Sequence, residues 1–364
     1  MDYYRSIFLV LFFISLISCS EGKDEVDQPL IMIEKKMTFR GADLSAYPQI
    51  ASRNLNFLNH NSDVEDFLSI LKKSGVNIIR LKLWVNPTDR VASLSEVEDF
   101  STHIRSKGYQ IWLTLHYSDT WADPGHQEKP KAWQNISYEQ LKDSVREYTK
   151  KVVATLRPEI IQIGNEINNG FLFPDGNLHS NEIQCIELLQ IASEAVRQTN
   201  AASKIMIHYA GHSGSNSFFQ KMANVDYDFI GLSYYPIWHG KDLNTLAGRM
   251  NELSNSFGKQ LLIAETAYPF TLGWNDYTNN IVGLESQIIL PDFPPTGLGQ
   301  ANFFKALYTK ILEVEDGIGI CYWGGELVAF DGPTSQNGSP WENQALFDFT
   351  LKSLPILKEF NPQK

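Results

Sequence analysis

Sulfur and basic charge are both scarce in this chain. It has 3 cysteines in 364 residues, and no Cys/His cluster carries the ligand spacing of a zinc centre. Lysine and arginine number 31 against 42 aspartates and glutamates, for a formal net charge of -11. A phosphate backbone repels such a surface, which excludes nucleic acid as a partner, and the acidic excess serves solubility. There is no internal repeat, no low-complexity tract and no Pro/Gly run that reads as an interdomain linker. No coiled-coil pattern asks for a partner helix, so a monomer is expected.

What the chain does have is apolar and aromatic mass. Hydrophobic residues make up 43% and aromatic residues 12%, including 8 tryptophans. A chain of this length suits one large barrel or two ordinary domains. An indole ring can fill a core, and it can also stack on the apolar face of a sugar. At the N-terminus, Arg5 precedes an apolar run from Ile7 to Ile14 that closes on Leu16-Ile17-Ser18-Cys19. The run is too short to span a bilayer and reads as an export signal over residues 1–18. Its ending resembles a bacterial lipobox, whose cysteine is acylated. Cys19 is therefore expected to anchor the protein to the outer membrane through a flexible tether over residues 19–36. Glu21, Asp24, Glu25 and Asp27 resemble a signal for display on the outer surface, with periplasmic and surface orientation both open. Cys185 falls in a helical pattern and Cys321 in a strand, and both are expected as buried free thiols.

From residue 39 onward, short apolar runs alternate with amphipathic stretches. Strands are expected over 39–43, 76–83, 109–115, 160–164, 204–209, 229–234, 260–264 and 318–323. Helical patterns lie between them, for example over 138–156, 182–199 and 243–257. Strands separated by helices imply βαβ units and a parallel sheet. Eight of them predict a single (β/α)8 TIM barrel over residues 37–364. A doubly wound open sheet lacks support, because no Gly-rich phosphate loop follows the first strand. The long loops are expected after strand three (116–136) and strand seven (268 to about 299), at the end of the barrel where active sites are built.

Chemistry concentrates at the strand ends. The fourth strand runs into Asn165-Glu166 and the seventh into Glu265. A carboxylate ending an apolar strand, with no Lys or Arg beside it in sequence, is unexpected in a core, and desolvation raises its pKa as a general acid needs. Two carboxylates facing each other across a barrel mouth match glycosidic bond cleavage. One protonates the leaving oxygen, and the other attacks the anomeric carbon or activates water. Their separation decides between retention and inversion, and a sequence does not supply it. Arg80, set among apolar residues of strand two, can hold a carboxylate ionised. His116 has no metal-ligand partner spacing and is expected to hydrogen-bond. A tyrosine after strand six can orient a carboxylate, and Trp323 after strand eight can floor a sugar subsite.

Several motifs then resemble glycoside hydrolase family 53, within the clan of retaining glycosidases on (β/α)8 barrels. They are Phe39-Arg40-Gly41-Ala42-Asp43, Arg80-Leu81-Lys82-Leu83-Trp84, His116-Tyr117-Ser118-Asp119-Thr120-Trp121-Ala122-Asp123-Pro124-Gly125, Gly164-Asn165-Glu166, Ala264-Glu265-Thr266 and Trp341-Glu342-Asn343. The resemblance implies endo-hydrolysis of β-1,4-galactan in pectin and type I arabinogalactan by double displacement. It implies Glu166 as acid/base, Glu265 as nucleophile and Asn165 as partner of the sugar 2-hydroxyl. Arg80, His116, Trp323 and Tyr234, chosen over Tyr235, form the supporting set. Asp43, Asp119, Trp121 and Trp238 are candidates for contacts with the polysaccharide. Where many members carry Glu-Pro after the tryptophan, this chain reads Gly324-Gly325-Glu326. Some members hold a structural calcium in the long loops. Asp276, Asn280 and Asp292 stand there without a ligand spacing, so no metal is assigned, and no cofactor is implied. A same-clan enzyme acting on mannan or glucan keeps the mechanism and changes the substrate. A surface glycan-binding lipoprotein without turnover is the reading of a different class.

Overall fold

The computed structural model describes residues 36–361. The export signal, Cys19 and the tether up to residue 35 lie outside the described residues. Eight parallel strands close into one barrel in sequence order: β1 (Phe39–Asp43), β2 (Ile78–Leu83), β3 (Gln110–Leu115), β4 (Ile160–Ile163), β5 (Lys204–Ala210), β6 (Phe229–Ser233), β7 (Gln260–Thr266) and β8 (Gly317–Tyr322). β8 pairs with β1 to complete the ring. The strands are rich in Ile and Leu because both of their faces are buried, as in all-parallel sheets.

Helices return the chain between strands, and local signals set their ends. Ser137 caps the helix Tyr138–Leu156 in a reciprocal box with Gln140. Asp66, Ser93, Asp242 and Thr296 cap four others through side-chain acceptors. Gly75 ends the helix Phe67–Ser74 at φ 106, a conformation that glycine adopts without strain.

Side chains alternate between two cores. Residues such as Leu81, Leu113, Ile161 and Ile263 point outward against the helices. Ile78, Trp112, Ile160, Met206, Phe229, Leu262, Ala264 and Cys321 fill the barrel interior. Gly231 is required there: a Cβ on it would sit 2.5 Å from the Met206 sulfur. Cys185 and Cys321 are buried free thiols, as their patterns indicate.

The long loops after β3 and β7 are present, running to the helices that begin at Tyr138 and Gly297. The segment after β8 is another long connection, extending to the short helix Pro355–Phe360, and it contributes Trp341 to the barrel mouth. The sequence predicts long loops only after strands three and seven. The β8 segment ends no amphipathic repeat and so leaves no periodic signal in the sequence.

Candidate active site

Glu166 and Glu265 reach the mouth of the barrel by different backbone devices. After β4 the chain turns through Gly164 (φ 84) and places Glu166 itself at φ 47. A left-handed glutamate costs free energy on the order of 1–3 kcal/mol and persists only where its surroundings enforce it. The Ile167 N–H does so by bonding to the His208 carbonyl on β5. On β7, Leu262 and Ala264 point inward, so regular alternation would turn Glu265 outward. A register shift resolves this: Leu232 pairs with Ile263 and Ser233 with Glu265, so one extra residue on β7 forms a bulge. The bulge re-aims Glu265 into the mouth.

Oxygens of the two carboxylates lie within 4.8 Å of each other, with His208 in the same group. An approach this close fits the retaining glycosidases, whose carboxyl groups stand about 5–5.5 Å apart, better than the inverting class at about 6.5–9.5 Å. The two groups differ in charge environment. Glu265 Oε1 lies 2.8 Å from Arg80 Nη2, and Glu265 Oε2 accepts from the Tyr235 hydroxyl at 3.1 Å. Burial raises Glu265, and the guanidinium opposes it by favouring the ionised form. Among the described residues no ion pair holds Glu166, and the Arg80 charge is only a minor influence on it. Burial first, and the charge of Glu265 second, push it up to about 8, so near neutrality it holds its proton.

Beneath the carboxylates runs a buried polar network. Arg80, 2% exposed, bridges Asp43 at 2.7 Å and also donates to Asn165 Oδ1 at 3.0 Å. Burial opposes its charge, but the carboxylates of Glu265 and Asp43 raise it overall. Gln162 donates to His208 Nδ1 at 2.9 Å, which leaves the proton of neutral His208 on Nε2, facing Ser233 Oγ at 3.0 Å. Burial and the Arg80 charge hold His208 well below its usual range. Ser233 in turn donates to Glu166 Oε1 at 2.5 Å.

Asn165 sits at the centre as the sequence indicates, with one amide hydrogen given to the Ala122 carbonyl at 2.8 Å. His116 is buried and neutral. Its Nδ1 accepts from the Ala122 N–H at 3.0 Å, and its ring meets the Trp121 ring edge-on at 5.2 Å. It therefore positions the β3 loop and its indole.

Two expectations need correction. Tyr234, chosen as the nucleophile's partner, points outward: its ring lies 6.4 Å from Phe303 and its hydroxyl donates to Gly240 O. Tyr235 takes the role, because Ser233 faces inward and alternation returns the chain inward two residues later. Asp119 does not face the substrate. Its two oxygens accept from the N–H groups of Asn86 and Lys131 at 2.9 and 2.8 Å, tying the loops after β2 and β3 together.

Above the carboxylates lies a cleft of about 340 Å³ walled by Trp121, Trp238, Trp323 and Trp341. Trp323 meets Trp121 and Trp341 edge-on at 5.9 and 4.7 Å, and Trp238 stacks against Trp341 at 6.5 Å. Trp238 is 55% exposed, so its face is available to a long ligand. Asp276, considered for calcium, spends both oxygens on the N–H groups of Thr278 and Ser339. Sequence reasoning ranked Tyr235 second to Tyr234 and gave no role to Ser233, His208, Gln162 or Trp341. A period-2 count along β5 and β6 could have found His208 and Ser233.

A closed eight-stranded barrel with paired, electrostatically distinct glutamates under an indole-lined cleft defines a glycoside hydrolase. Residues 39–360 match the model of glycosyl hydrolase family 53, and the chain belongs to that family. It is 32% identical to the arabinogalactan endo-beta-1,4-galactanase of Cellvibrio japonicus (strain Ueda107), over 86% of this chain and 87% of the relative. It is 28% identical to the endo-beta-1,4-galactanase of Bacillus subtilis (strain 168), over 88% and 85%. Among solved structures, the Ignisphaera aggregans GH53 catalytic domain superposes with a TM-score of 0.84 at 37% identity, covering 89% of this chain and 95% of that one.

Proposed function

We propose that this protein is an endo-β-1,4-galactanase acting on pectic galactan and type I arabinogalactan by double displacement. The observation that carries the mechanism is the carboxylate pair within 4.8 Å, one member proton-bearing and the other against a guanidinium. In the first step Glu265 attacks the anomeric carbon while Glu166 protonates the departing glycosidic oxygen. Glu166, now a carboxylate, takes a proton from water, which attacks the glycosyl-enzyme ester and frees Glu265. Each proton taken or given passes through Glu166, so it ends the cycle protonated, and the carboxylates do the work without a cofactor. The substrate rests on family membership and on the names of the relatives above. The open, indole-walled cleft supports internal attack on a chain. Incubation with linear β-1,4-galactan, followed by product sizing and NMR of the first anomer formed, is expected to show short oligosaccharides with β configuration. Inertness towards galactan with turnover of another β-1,4-glycan would replace the substrate. An α product would overturn the mechanism.

The proposal extends to location. A signal-like apolar run ending in Leu16-Ile17-Ser18-Cys19 supports export and acylation of Cys19, with a monomer held at the bacterial outer membrane. Labelling of cells with a tagged fatty acid is expected to mark the wild-type protein and not Cys19→Ala.

A further inference from the structure

Hydrogen bonds have a direction, and in the buried network beneath Glu166 that direction is fixed from one end. Arg80 carries N–H donors and no acceptor, so the Gln162 atom that faces its Nη2 at 3.3 Å is the carbonyl oxygen Oε1. The Thr114 hydroxyl donates to the same oxygen at 3.4 Å. The Gln162 amide nitrogen then faces the other way, towards the Gly164 carbonyl at 3.1 Å, Asn165 Oδ1 at 3.0 Å and His208 Nδ1 at 2.9 Å. The backbone N–H of Glu166, which can only donate, also faces His208 Nδ1, at 3.4 Å. Asn165 Oδ1 lies 3.2 Å from the same nitrogen but already accepts from Arg80 and Gln162. Two obligate donors thus meet Nδ1, which makes it the bare, accepting nitrogen of a neutral ring.

The polarity is passed on towards the cleft. His208 Nε2 bears the ring proton and donates to Ser233 Oγ at 3.0 Å. A hydroxyl has one hydrogen, and Ser233 gives it to Glu166 Oε1 at 2.5 Å. Oε1 therefore accepts, and it cannot hold the acid's own proton while Ser233 donates into it. Gln162, His208 and Ser233 are all buried, so solvent offers none of them a substitute partner. Glu166 lines the cleft, and its Oε2 has no hydrogen-bond partner among the described residues.

We propose that Gln162 and His208 are positioning residues that act through Ser233 to place the transferable proton of Glu166 on Oε2. The proposal rests on the reading of Glu166 as the acid of a galactanase. In the first step the Oε2–H bond breaks and its proton passes to the glycosidic oxygen. That oxygen keeps the electron pair of its broken bond to the anomeric carbon, and the carbon forms its new bond to Glu265. Glu166 is left as a carboxylate that still accepts from Ser233 at Oε1. Without the His208 donor, Ser233 can turn and accept from an Oε1–H. One buried hydrogen bond then draws the proton to the oxygen that does not serve the leaving group.

Two measurements on the full chain test this. Nitrogen-15 NMR of the wild type, with His208 assigned by its loss in His208→Gln, is expected to show Nε2 protonated and Nδ1 bare. The opposite tautomer overturns the proposal. The second measurement is the ratio of kcat/KM on phenyl β-1,4-galactobioside to that on 2,4-dinitrophenyl β-1,4-galactobioside. The phenyl leaving group needs the acid and the dinitrophenyl group does not, so the ratio cancels effects on the nucleophile and on binding. His208→Leu is expected to lower the ratio by about fivefold or more, the strength of one buried hydrogen bond. His208→Gln, which can set an N–H where Nε2 stands, is expected to restore it to within about twofold of wild type. If His208→Leu does not fold, Gln162→Met carries the test. It leaves Asn165 Oδ1 as the acceptor beside Nδ1, so the ring proton is expected to move to Nδ1 and the ratio to fall in the same way. Equal losses on both substrates, or an unchanged ratio, overturn the positioning role while galactan cleavage by the wild type stands. A wild type inert on both galactobiosides and on galactan overturns the galactanase reading and the acid role of Glu166 with it.

Discussion

Ser233 Oγ stands 2.5 Å from Glu166 Oε1 and 3.0 Å from His208 Nε2, so a neutral histidine, a hydroxyl and the proton donor form one chain. The serine favours the ionised form of Glu166 and holds its pKa below where burial alone would place it.

The alkaline limb of kcat/KM reports this acid. Glu166 must be protonated to act, so activity is expected to fall as pH rises through about 8. Ser233→Ala removes a bond that favours the carboxylate, so Glu166 holds its proton to higher pH and the limb moves upward. A limb that stays in place or moves down would show that Ser233 does not act on Glu166.

Replacement of either carboxylate by alanine separates the roles. Glu166→Ala is expected to lose about 10²–10⁴-fold in kcat, the range for a general acid–base group. Azide can occupy the vacated space and attack the glycosyl-enzyme, giving a β-galactosyl azide. In Glu265→Ala azide takes the nucleophile's place and gives the α-azide in one displacement. The two anomers, distinguished by NMR, check the assignment, and exchanged outcomes would reverse it.

Arg80 contacts two buried carboxylates at once. Arg80→Met leaves both without a cation and is expected to cost about 3–5 kcal/mol in denaturant unfolding. Arg80→Lys keeps the charge but not the fork that reaches Asp43 and Glu265 together, so it should recover only part of the loss. In either variant that retains turnover, Glu265 ionises less readily. The acid limb of the pH profile is then expected to move to higher pH.

The features legible in the sequence were those with a local signature. Apolar runs ending in Asn165-Glu166 and Glu265 marked both carboxylates, and helical periodicity marked Tyr138–Leu156 and Glu182–Thr199 to their bounds. What stayed hidden depends on pairing between strands. The β7 bulge that turns Glu265 inward exists only in register with β6, and His208 and Ser233 matter because β5 and β6 set them beside Glu166. Trp341 stands far along the chain from Trp238 and meets it only through the β8 segment.

The tyrosines after β6 offer the sharpest contrast, since adjacent residues of one type face opposite ways. Tyr235 donates to the nucleophile at 3.1 Å, whereas Tyr234 donates to the Gly240 carbonyl behind the barrel wall. Tyr235→Phe removes a hydrogen bond to a charged group, worth about 1.5–3 kcal/mol, and is expected to lower kcat by tenfold or more with little change in Tm. Tyr234→Phe leaves one carbonyl short of a donor, so it is expected to cost about 1 kcal/mol of stability and leave kcat near wild type. Measuring kcat and Tm for both variants decides the matter. If Tyr234→Phe lost turnover while Tyr235→Phe kept it, the inward placement of Tyr235 would be wrong and the choice made from sequence would stand.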